Sequence, residues 1–267
     1  MTEAKPAGQA GTWDADTYLR YAAYRARPME DLLPRIALSV PGSIYDLGCG
    51  PGTLTRQLKD RWPERPVSGI DSSAEMLRKA RQSYGDGAIS WQQADIATWR
   101  ANPPAALVFA NASLHWLPDH AGLFPRLFGD VVPGGILAVQ MPMTGQAAYH
   151  ICLHHVKNAP RWRERLAGVE PHDDPHPAAF YYDLLAPFAT DTDIWETDYH
   201  HVLTGAHPVT DWVSGAALVP VLSVLNDDEK AEFIADYKAA ETAAYPRRLD
   251  GTVLFTMRRL FMVAKRA

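Results

Sequence analysis

The heptapeptide DLGCGPG at residues 46–52 is the stretch that decides the fold. It overlaps the end of a short apolar run, Ser43–Leu47, and precedes an amphipathic segment, Thr53–Trp62, in which Leu54 and Leu58 lie one turn apart. Glycines at such a turn let the backbone reverse sharply and let a ligand approach closely. The helix that follows presents N–H groups that lack intrahelical partners. The heptapeptide therefore predicts a strand–turn–helix unit that binds a nucleotide-like ligand.

The spacing of the glycines differs from that of two common nucleotide-binding loops. The dinucleotide fingerprint requires a third glycine three residues after the second, and here that position is Thr53. The third glycine, Gly52, instead comes two residues after Gly50. No Gly-Lys-Ser/Thr follows, so a P-loop is also excluded.

Short apolar runs alternate with amphipathic segments over residues 43–142, which is typical of βαβ units. Ser72, with Glu75 three residues later, predicts a capping box at the start of the second helix. Gly134-Gly135 predicts a turn into the fifth strand. The predicted strands are Ser43–Leu47, Pro66–Ile70, Ala88–Trp91, Ala105–Ala110 and Ile136–Gln140. Together they predict an α/β fold with a doubly wound, mostly parallel sheet of the Rossmann-like kind.

The pattern is less regular after Met143. Here we predict a loop at Gly168–Pro177 and helices and strands around it. The predicted helices are Gln146–Arg165, Ala178–Phe188, Asp211–Leu225 and Asp227–Tyr245 from an Asn226 cap, and the predicted strands are Asp193–Val202 and Val253–Ala264. We therefore expect three parts: a loose tail at 1–12, a ligand-binding core with an N-terminal helical cap at 13–142, and helical insertions with the final strands at 143–267, completing the sheet and the substrate pocket.

Composition excludes several classes of protein. The chain has 267 residues, a net charge of −5 and 47% hydrophobic residues, which argues against a nucleic-acid or anionic-membrane partner. The two cysteines form no CxxC pair and no Cys/His cluster, so neither a disulfide nor a metal site is expected. The first dozen residues lack the apolar stretch of a signal peptide, and no apolar run approaches the ~20 residues of a membrane span. We expect a cytoplasmic protein, as a monomer or small homo-oligomer.

Two acidic residues follow later strands. Asp71 ends the second strand, where a carboxylate accepts ribose hydroxyls in nucleotide-binding α/β folds. Asp95 follows the third strand and has two alternative roles, as a ligand of an adenine amino group or as a cap of its own loop.

Four motifs together resemble the class I methyltransferases that use S-adenosylmethionine (SAM). They are DLGCGPG at 46–52, GIDSS at 69–73, ADI at 94–96 and FANASLHWLPDH at 109–120. More narrowly, the chain resembles the trans-aconitate 2-methyltransferase family over nearly its whole length. The segments that carry this narrower resemblance include RARP at 25–28, AVQMP at 138–142, AFYYDLL at 179–185, IWET at 194–197 and RLF at 259–261.

The resemblance implies a cofactor site for SAM, with S-adenosylhomocysteine as the product. Residues of the glycine loop would hold the methionine end, Asp71 the ribose, Asp95 and Ile96 the adenine, and Asn111 with Ala112 the region of the sulfonium. We interpret Cys49 as a packing residue because no base or cation is evident near it. The predicted cofactor-binding set is Asp46, Gly48, Cys49, Gly50, Asp71, Ser72, Met76, Asp95, Ile96, Asn111, Ala112 and Ser113.

The acceptor implied by the resemblance is a carboxylate of trans-aconitate or of a similar small polycarboxylate. Ser113–Leu117 resembles a stretch of plant and insect carboxyl methyltransferases in which a Trp indole N–H binds the reacting carboxylate. This assigns Trp116 and His115 as the catalytic residues. Arginine pairs bidentately with carboxylates, so arginines join tyrosines and a histidine in the predicted substrate-binding set. That set is Tyr21, Arg25, Arg27, Trp116, Tyr181, Tyr182, His200 and Arg259.

Three alternatives remain open. The first is a SAM-dependent methyltransferase for a different small acid or a natural product. The second is an NAD-dependent oxidoreductase, against which the glycine spacing argues. The third is a SAM-binding protein without catalysis, against which the donors at Ser113–Trp116 argue only weakly.

Overall fold

A computed structural model describes residues 22–169 and 175–267, with side chains described from Arg27 onward in the first range. The predicted tail at 1–12, Tyr21 and the side chain of Arg25 therefore lie outside the described residues. The helices are α1 Ala22–Leu32, α2 Thr53–Arg61, α3 Ala74–Tyr84, α4 His120–Gly129, α5 Ala148–Lys157, α6 Ala178–Leu185, α7 Pro208–Ser214, α8 Val219–Leu222 and α9 Asp227–Ala244. The strands are β1 Ser43–Leu47, β2 Val67–Asp71, β3 Ser90–Gln93, β4 Ala105–Asn111, β5 Val131–Met143, β6 Ala189–Leu203 and β7 Val253–Arg266.

The seven strands form one sheet in the order β3-β2-β1-β4-β5-β7-β6. The first five pair in parallel, and β7 pairs antiparallel to β5 with Gln140 opposite Phe261. The order reverses direction at β1 and β4, the switch point where open α/β sheets bind ligands at the carboxyl ends of their strands. The predicted fold class is confirmed.

Several local predictions are wrong. Helix α3 is capped by Ser73 and not by Ser72, because the Ser73 side chain accepts from the Met76 N–H, so Glu75 has no capping-box role. Gly134-Gly135 does not separate two elements, since β5 runs through both glycines. The segment Gln146–Arg165 is not one helix: α5 ends at Lys157 and turns follow.

Helix α9 confirms its predicted start. Asn226 accepts from the Glu229 N–H at 2.9 Å, and the Glu229 carboxylate accepts from the Asn226 N–H at 2.9 Å. This is the reciprocal capping box that satisfies two backbone donors at once. The segment Asp211–Leu225, predicted as one helix, instead contains the end of α7 and the short α8.

The chain divides into two compact units, each built from separate stretches of sequence. Among the described residues, the sheet unit comprises 26–143, 175–198 and 258–267, and the second unit comprises 22–25, 144–169 and 199–257. Our predicted division into 13–142 and 143–267 stays a prediction. Both β6 and β7 cross from one unit into the other.

One face of the sheet unit is a continuous apolar core. Alternate residues of the central strands, such as Val108, Val139 and Met262, pack with residues of α4 and α6. Because side chains alternate along a strand, Asp46, Phe109, Asn111, Gln140 and Phe261 belong to the opposite face.

The second unit has its own aromatic core, which includes Trp162, Trp212, Phe233, Tyr237 and Phe255. Buried Glu241 of α9 accepts the backbone N–H groups of Val209 and Thr210 at 3.2 and 3.1 Å, together with the Thr210 hydroxyl. These N–H groups lie in the first turn of α7, so a carboxylate from α9 caps it.

Among the described residues, no helix is long and apolar enough to cross a membrane. In the same ranges, no group of three or more His, Cys, Asp or Glu side chains could hold a metal ion.

Candidate active site

The glycine loop connects β1 to α2 with three left-handed glycines. The φ angles of Gly48, Gly50 and Gly52 are +74°, +55° and +82°, which L-residues with a side chain rarely adopt. A Cβ on Gly48 would lie 2.3 Å from the Ser113 Cβ. A Cβ on Gly50 would meet no atom of the described residues within 4 Å, so these residues leave the loop open to a ligand at Gly50.

Trp91 of β3 packs behind the loop. A Cβ on Gly52 would lie 2.5 Å from this indole ring, and one on Gly69 would lie 2.6 Å from it. The indole nitrogen donates to the Gly85 carbonyl at 2.8 Å, which fixes the ring. The two glycines therefore make room for an aromatic wedge that supports the loop.

Asp71 bridges the glycine loop and the start of α3. Its Oδ2 accepts from the Gly50 N–H at 2.8 Å, and its Oδ1 accepts from the Ser73 N–H at 2.8 Å. Each carboxylate oxygen has a second lone pair, and Asp71 is only half-buried. It can therefore hold the loop and still accept a ligand hydroxyl.

Asp46 is a buried carboxylate beneath the loop. It is 2% exposed, and its Oδ2 accepts from the Thr55 hydroxyl at 2.6 Å. Its pKa is raised to about 7, mainly by burial and also by the charge of Asp71, while the hydrogen bond from Thr55 acts in the opposite direction. A buried carboxylate of this kind is stabilised in its charged form by a cationic ligand.

Cys49 is buried in a small apolar cluster with Leu77, Ala80 and Trp91. Burial raises the pKa of its thiol, so the thiol is protonated at neutral pH. This environment agrees with a packing role and disfavours a nucleophile.

The turn after β4 is tied to both neighbouring strands. The Ser113 hydroxyl donates to the Leu47 carbonyl at 2.6 Å, and the Ala112 N–H donates to the Gln140 carbonyl at 2.9 Å. Ala112 has a φ of +54°. The structure therefore brings Asn111, Ala112 and Ser113 beside the glycine loop, with the Ser113 hydroxyl engaged in joining the two segments.

His115 and Trp116 lie on the short 3₁₀ turn Leu114–Trp116 that follows. Their ring centroids are 4.8 Å apart, and Trp116 is 39% exposed although it is a large apolar side chain. Leu114, between Ser113 and His115, is fully buried and anchors the turn.

Two buried side chains, one from α4 and one from α6, support this turn through hydrogen bonds. The His120 ring is within hydrogen-bond distance of the Leu114 carbonyl at 3.0 Å and of the Tyr181 hydroxyl at 2.7 Å. The Tyr181 hydroxyl also accepts from the His176 N–H at 3.1 Å. Tyr181 is fully buried, so it favours a supporting role over the substrate contact that we predicted for it.

The remaining predicted cofactor residues lie around the ends of β2 and β3. Asp95 is exposed and its Oδ1 accepts from the Ala97 N–H at 2.9 Å. One of its oxygens therefore caps its own loop, which is the second of the two roles considered for this residue. Ile96 is buried, Met76 is half-buried on α3, and Ser72 is exposed with its carbonyl bonded by Gln93 at 3.0 Å.

The predicted substrate residues are divided between the units. Arg27, Tyr182 and Arg259 belong to the sheet unit, where Arg27 and Tyr182 are exposed and Arg259 is buried. His200 belongs to the second unit and its Nδ1 lies 2.8 Å from the Thr256 hydroxyl.

Gln140 is a candidate that sequence reasoning missed as a site residue. It is 1% exposed in the middle of the apolar run of β5, next to Asn111 of β4. The sequence signal for it is a lone amide within the apolar run ILAVQMP.

Comparison with known proteins then decides the family. Residues 44–135 match the methyltransferase domain family. A trans-aconitate 2-methyltransferase from Azoarcus is 45% identical over 255 residues, covering 96% of this chain and 99% of that protein. One from Streptomyces coelicolor is 44% identical over 267 residues, covering 96% and 88%. The chain belongs to the trans-aconitate 2-methyltransferase family.

The fold agrees with solved methyltransferase structures. A methyltransferase from Bacillus halodurans, at 15% identity, aligns with a TM-score of 0.56 over 90% of this chain and 98% of that one. The predicted class, a methyltransferase that uses SAM, is confirmed by membership of the trans-aconitate 2-methyltransferase family. The site fits this cofactor, since the loop is open at Gly50 and a buried carboxylate, Asp46, lies beneath it.

Proposed function

We propose that the protein transfers a methyl group from SAM to a carboxylate of trans-aconitate, or of a closely similar small polycarboxylate, and forms a methyl ester. The single observation that carries this proposal is the bond from Ser113 to Leu47. It attaches the turn that carries His115 and Trp116 directly to the glycine loop. This hydrogen bond would thus hold the residues that bind the methyl donor next to the residues that bind the methyl acceptor.

Two carboxylates in the cofactor half of the site would bind different parts of the cofactor. Asp46 would hold the cationic ammonium of the methionine end, and Asp71 the ribose hydroxyls. Asp95 and Ile96 would border the adenine, and the backbone of Asn111 and Ala112 would border the reacting sulfur. When bound, SAM supplies a methyl group on a positively charged sulfur that leaves as a neutral thioether.

The acceptor half requires no general base. A carboxylic acid has an unperturbed pKa near 4, so its oxygen is already a nucleophile at neutral pH. The protein must instead orient that oxygen and exclude water, which can account for roughly 7–11 kcal/mol of a barrier. The Trp116 indole N–H would bind the reacting carboxylate, with His115 as a second donor.

Further anchors would come from Arg27, Arg259 and Tyr182, with Tyr21 and Arg25 outside the described parts of the chain. Guanidinium groups pair with the additional carboxylates that distinguish a tricarboxylate from a simple acid. Tyr181, whose hydroxyl is bonded to His120 and His176, would support Trp116 from behind.

The test is incubation with methyl-labelled SAM and a panel of di- and tricarboxylic acids, followed by measurement of base-labile methyl ester. We expect trans-aconitate to be methylated most efficiently. Methylation of another acid with none of trans-aconitate would favour the alternative acceptor, and no ester with any acid would reject the proposal.

A further inference from the structure

Gln140 is a buried amide at the centre of the sheet. It lies on β5 between β4 and β7, and only 1% of its surface is exposed. The neighbouring Val139 and Met141 belong to the apolar core on the other face. Leu or Met would pack better than glutamine at this position, so packing does not explain the polar side chain.

Neither amide atom of Gln140 has a hydrogen-bond partner among the described residues. The Oδ1 atom of Asn111, its register neighbour on the same face, is also buried without a partner there. Exchange of the two amide atoms of Gln140 leaves the same result, so it does not depend on how the amide is oriented. Buried polar groups in folded proteins nearly always have partners, so these orphans indicate that a ligand supplies them.

The charges on this face indicate which ligand. Asp46 lies on β1 opposite Phe109, two residues before Asn111 on β4, and its carboxylate favours a cation. Arg259 lies on β7, opposite Pro142 and two residues from Phe261, the residue opposite Gln140. The arrangement therefore runs from acidic at β1 to basic at β7, and Gln140 lies on the basic side.

We propose that Gln140 binds a carboxylate of the acceptor acid through its side-chain N–H group and helps to set acceptor specificity. This inference rests on the proposed function, because it assumes a carboxylic acid as acceptor. The amide donates to an anionic oxygen without carrying a charge, so it is buried at less cost than a second arginine would be. Asn111 marks the boundary between this acceptor position and the cofactor.

Two substitutions separate binding from packing. Gln140→Met keeps the length of the side chain and removes the orphaned amide, so we expect an unchanged or higher Tm. The KM for the acid should rise by about tenfold or more, because one hydrogen bond to a charged group is lost. Gln140→Glu places a negative charge against the substrate, so kcat/KM should fall by about a hundredfold or more. The dissociation constant of SAM should change by less than about threefold in both.

The matched control is Gln92→Met on β3, where the glutamine is exposed. It should leave Tm, KM and SAM affinity unchanged. If Gln140→Met lowers Tm and weakens SAM binding as much as acid binding, Gln140 is structural and the proposal is wrong. An unchanged KM for the acid would also overturn it.

Calorimetric titration of trans-aconitate into the protein saturated with S-adenosylhomocysteine keeps this test separate from the methyl-transfer assay. Acid binding that depends on Gln140, with no ester formed, would reject the proposed function and support the role of Gln140. Acid binding that does not depend on Gln140 would reject that role alone. No acid binding by the native protein would reject both.

Discussion

The Ser113 hydroxyl donates a 2.6 Å hydrogen bond to the Leu47 carbonyl, and a side chain at position 48 would collide with Ser113. The end of β1 and the turn after β4 therefore touch at a point that tolerates only glycine. We expect Gly48→Ala to lower the free energy of unfolding by at least about 2 kcal/mol, since it combines this clash with a left-handed φ. Chemical denaturation measures the change.

Gly50→Ala is the informative companion, because position 50 shares the left-handed φ but has open space around it. Only about 1–2 kcal/mol of stability should be lost. The new methyl group should nevertheless weaken SAM binding by about tenfold or more, since it fills space that the ligand needs. SAM affinity equal to that of the native protein would place the cofactor elsewhere.

Asp71→Ala removes the acceptor of the Gly50 and Ser73 N–H groups and, by our proposal, of the ribose hydroxyls. Calorimetry should detect no SAM binding by this variant. Asp86→Ala is the control, since Asp86 is exposed and forms an ion pair with Arg81 of α3. Retention of SAM affinity by Asp71→Ala would contradict the cofactor assignment.

The pKa of Asp46, about 7 in the folded protein against 3.8 for an ordinary Asp, predicts a pH dependence of binding. A cationic cofactor binds the ionised form, so SAM affinity should fall by up to about tenfold per pH unit below pH 7. Asp46→Asn should bind SAM weakly and without this dependence, which titrations at pH 6, 7 and 8 would show.

The same group predicts a stability change with a definite sign. Since the folded state holds the Asp46 proton more tightly than the unfolded state, this residue's contribution to stability falls as pH rises from about 4 to about 7. Asp46→Asn should therefore gain stability relative to the native protein across that window, and the difference should stay constant above pH 7. A constant difference from pH 4 to 8 would mean that the Asp46 pKa is not raised.

Trp116→Phe keeps an aromatic ring but removes the indole N–H. We expect SAM affinity within about threefold of native and a fall in kcat/KM for the acid of about tenfold to a hundredfold, the cost of one hydrogen bond to a charged group. Trp62→Phe, at the end of α2, is the control. Parallel loss of SAM binding and turnover would show that Trp116 is a packing residue.

Glu241→Ala tests the second unit. Its loss leaves the Val209 and Thr210 N–H groups without their buried acceptor, so the free energy of unfolding should fall by about 2–3 kcal/mol. Glu232→Ala, which removes an exposed ion pair with Arg161, should change stability by less than about 1 kcal/mol. Similar small changes for both variants would contradict the capping role.

The parallel core was predictable because its signals are local. The apolar runs predicted β1, β2 and β4 to within a residue, and the glycine spacing separated the loop from dinucleotide and P-loop types. Ser72 was mistaken for the cap because Ser72 and Ser73 both have the required chemistry. Backbone geometry, which the sequence does not state, decides between them.

The acceptor residues were harder to predict because they depend on contacts distant in sequence. Tyr181 carries a donor that suits a carboxylate, yet His120, 61 residues away, engages its hydroxyl. Gln140 was overlooked because it is hidden in an apolar strand, and only the pairing with β4 shows its amide beside Asn111. The assembly of each unit from separate stretches of sequence likewise has no local sequence signal.

The wedge formed by Trp91 restricts how this family can diversify. Gly69 has no left-handed φ of its own, and a side chain there is excluded by the ring of Trp91, 2.6 Å from the Cβ position, together with the Cys49 Sγ at 2.9 Å. Positions 49, 69 and 91 should therefore change together in descendants of this sequence, with alanine at 69 allowed only where smaller residues have replaced Trp91 and Cys49. Gly52 has no such freedom, because its backbone would demand glycine even if the ring were lost.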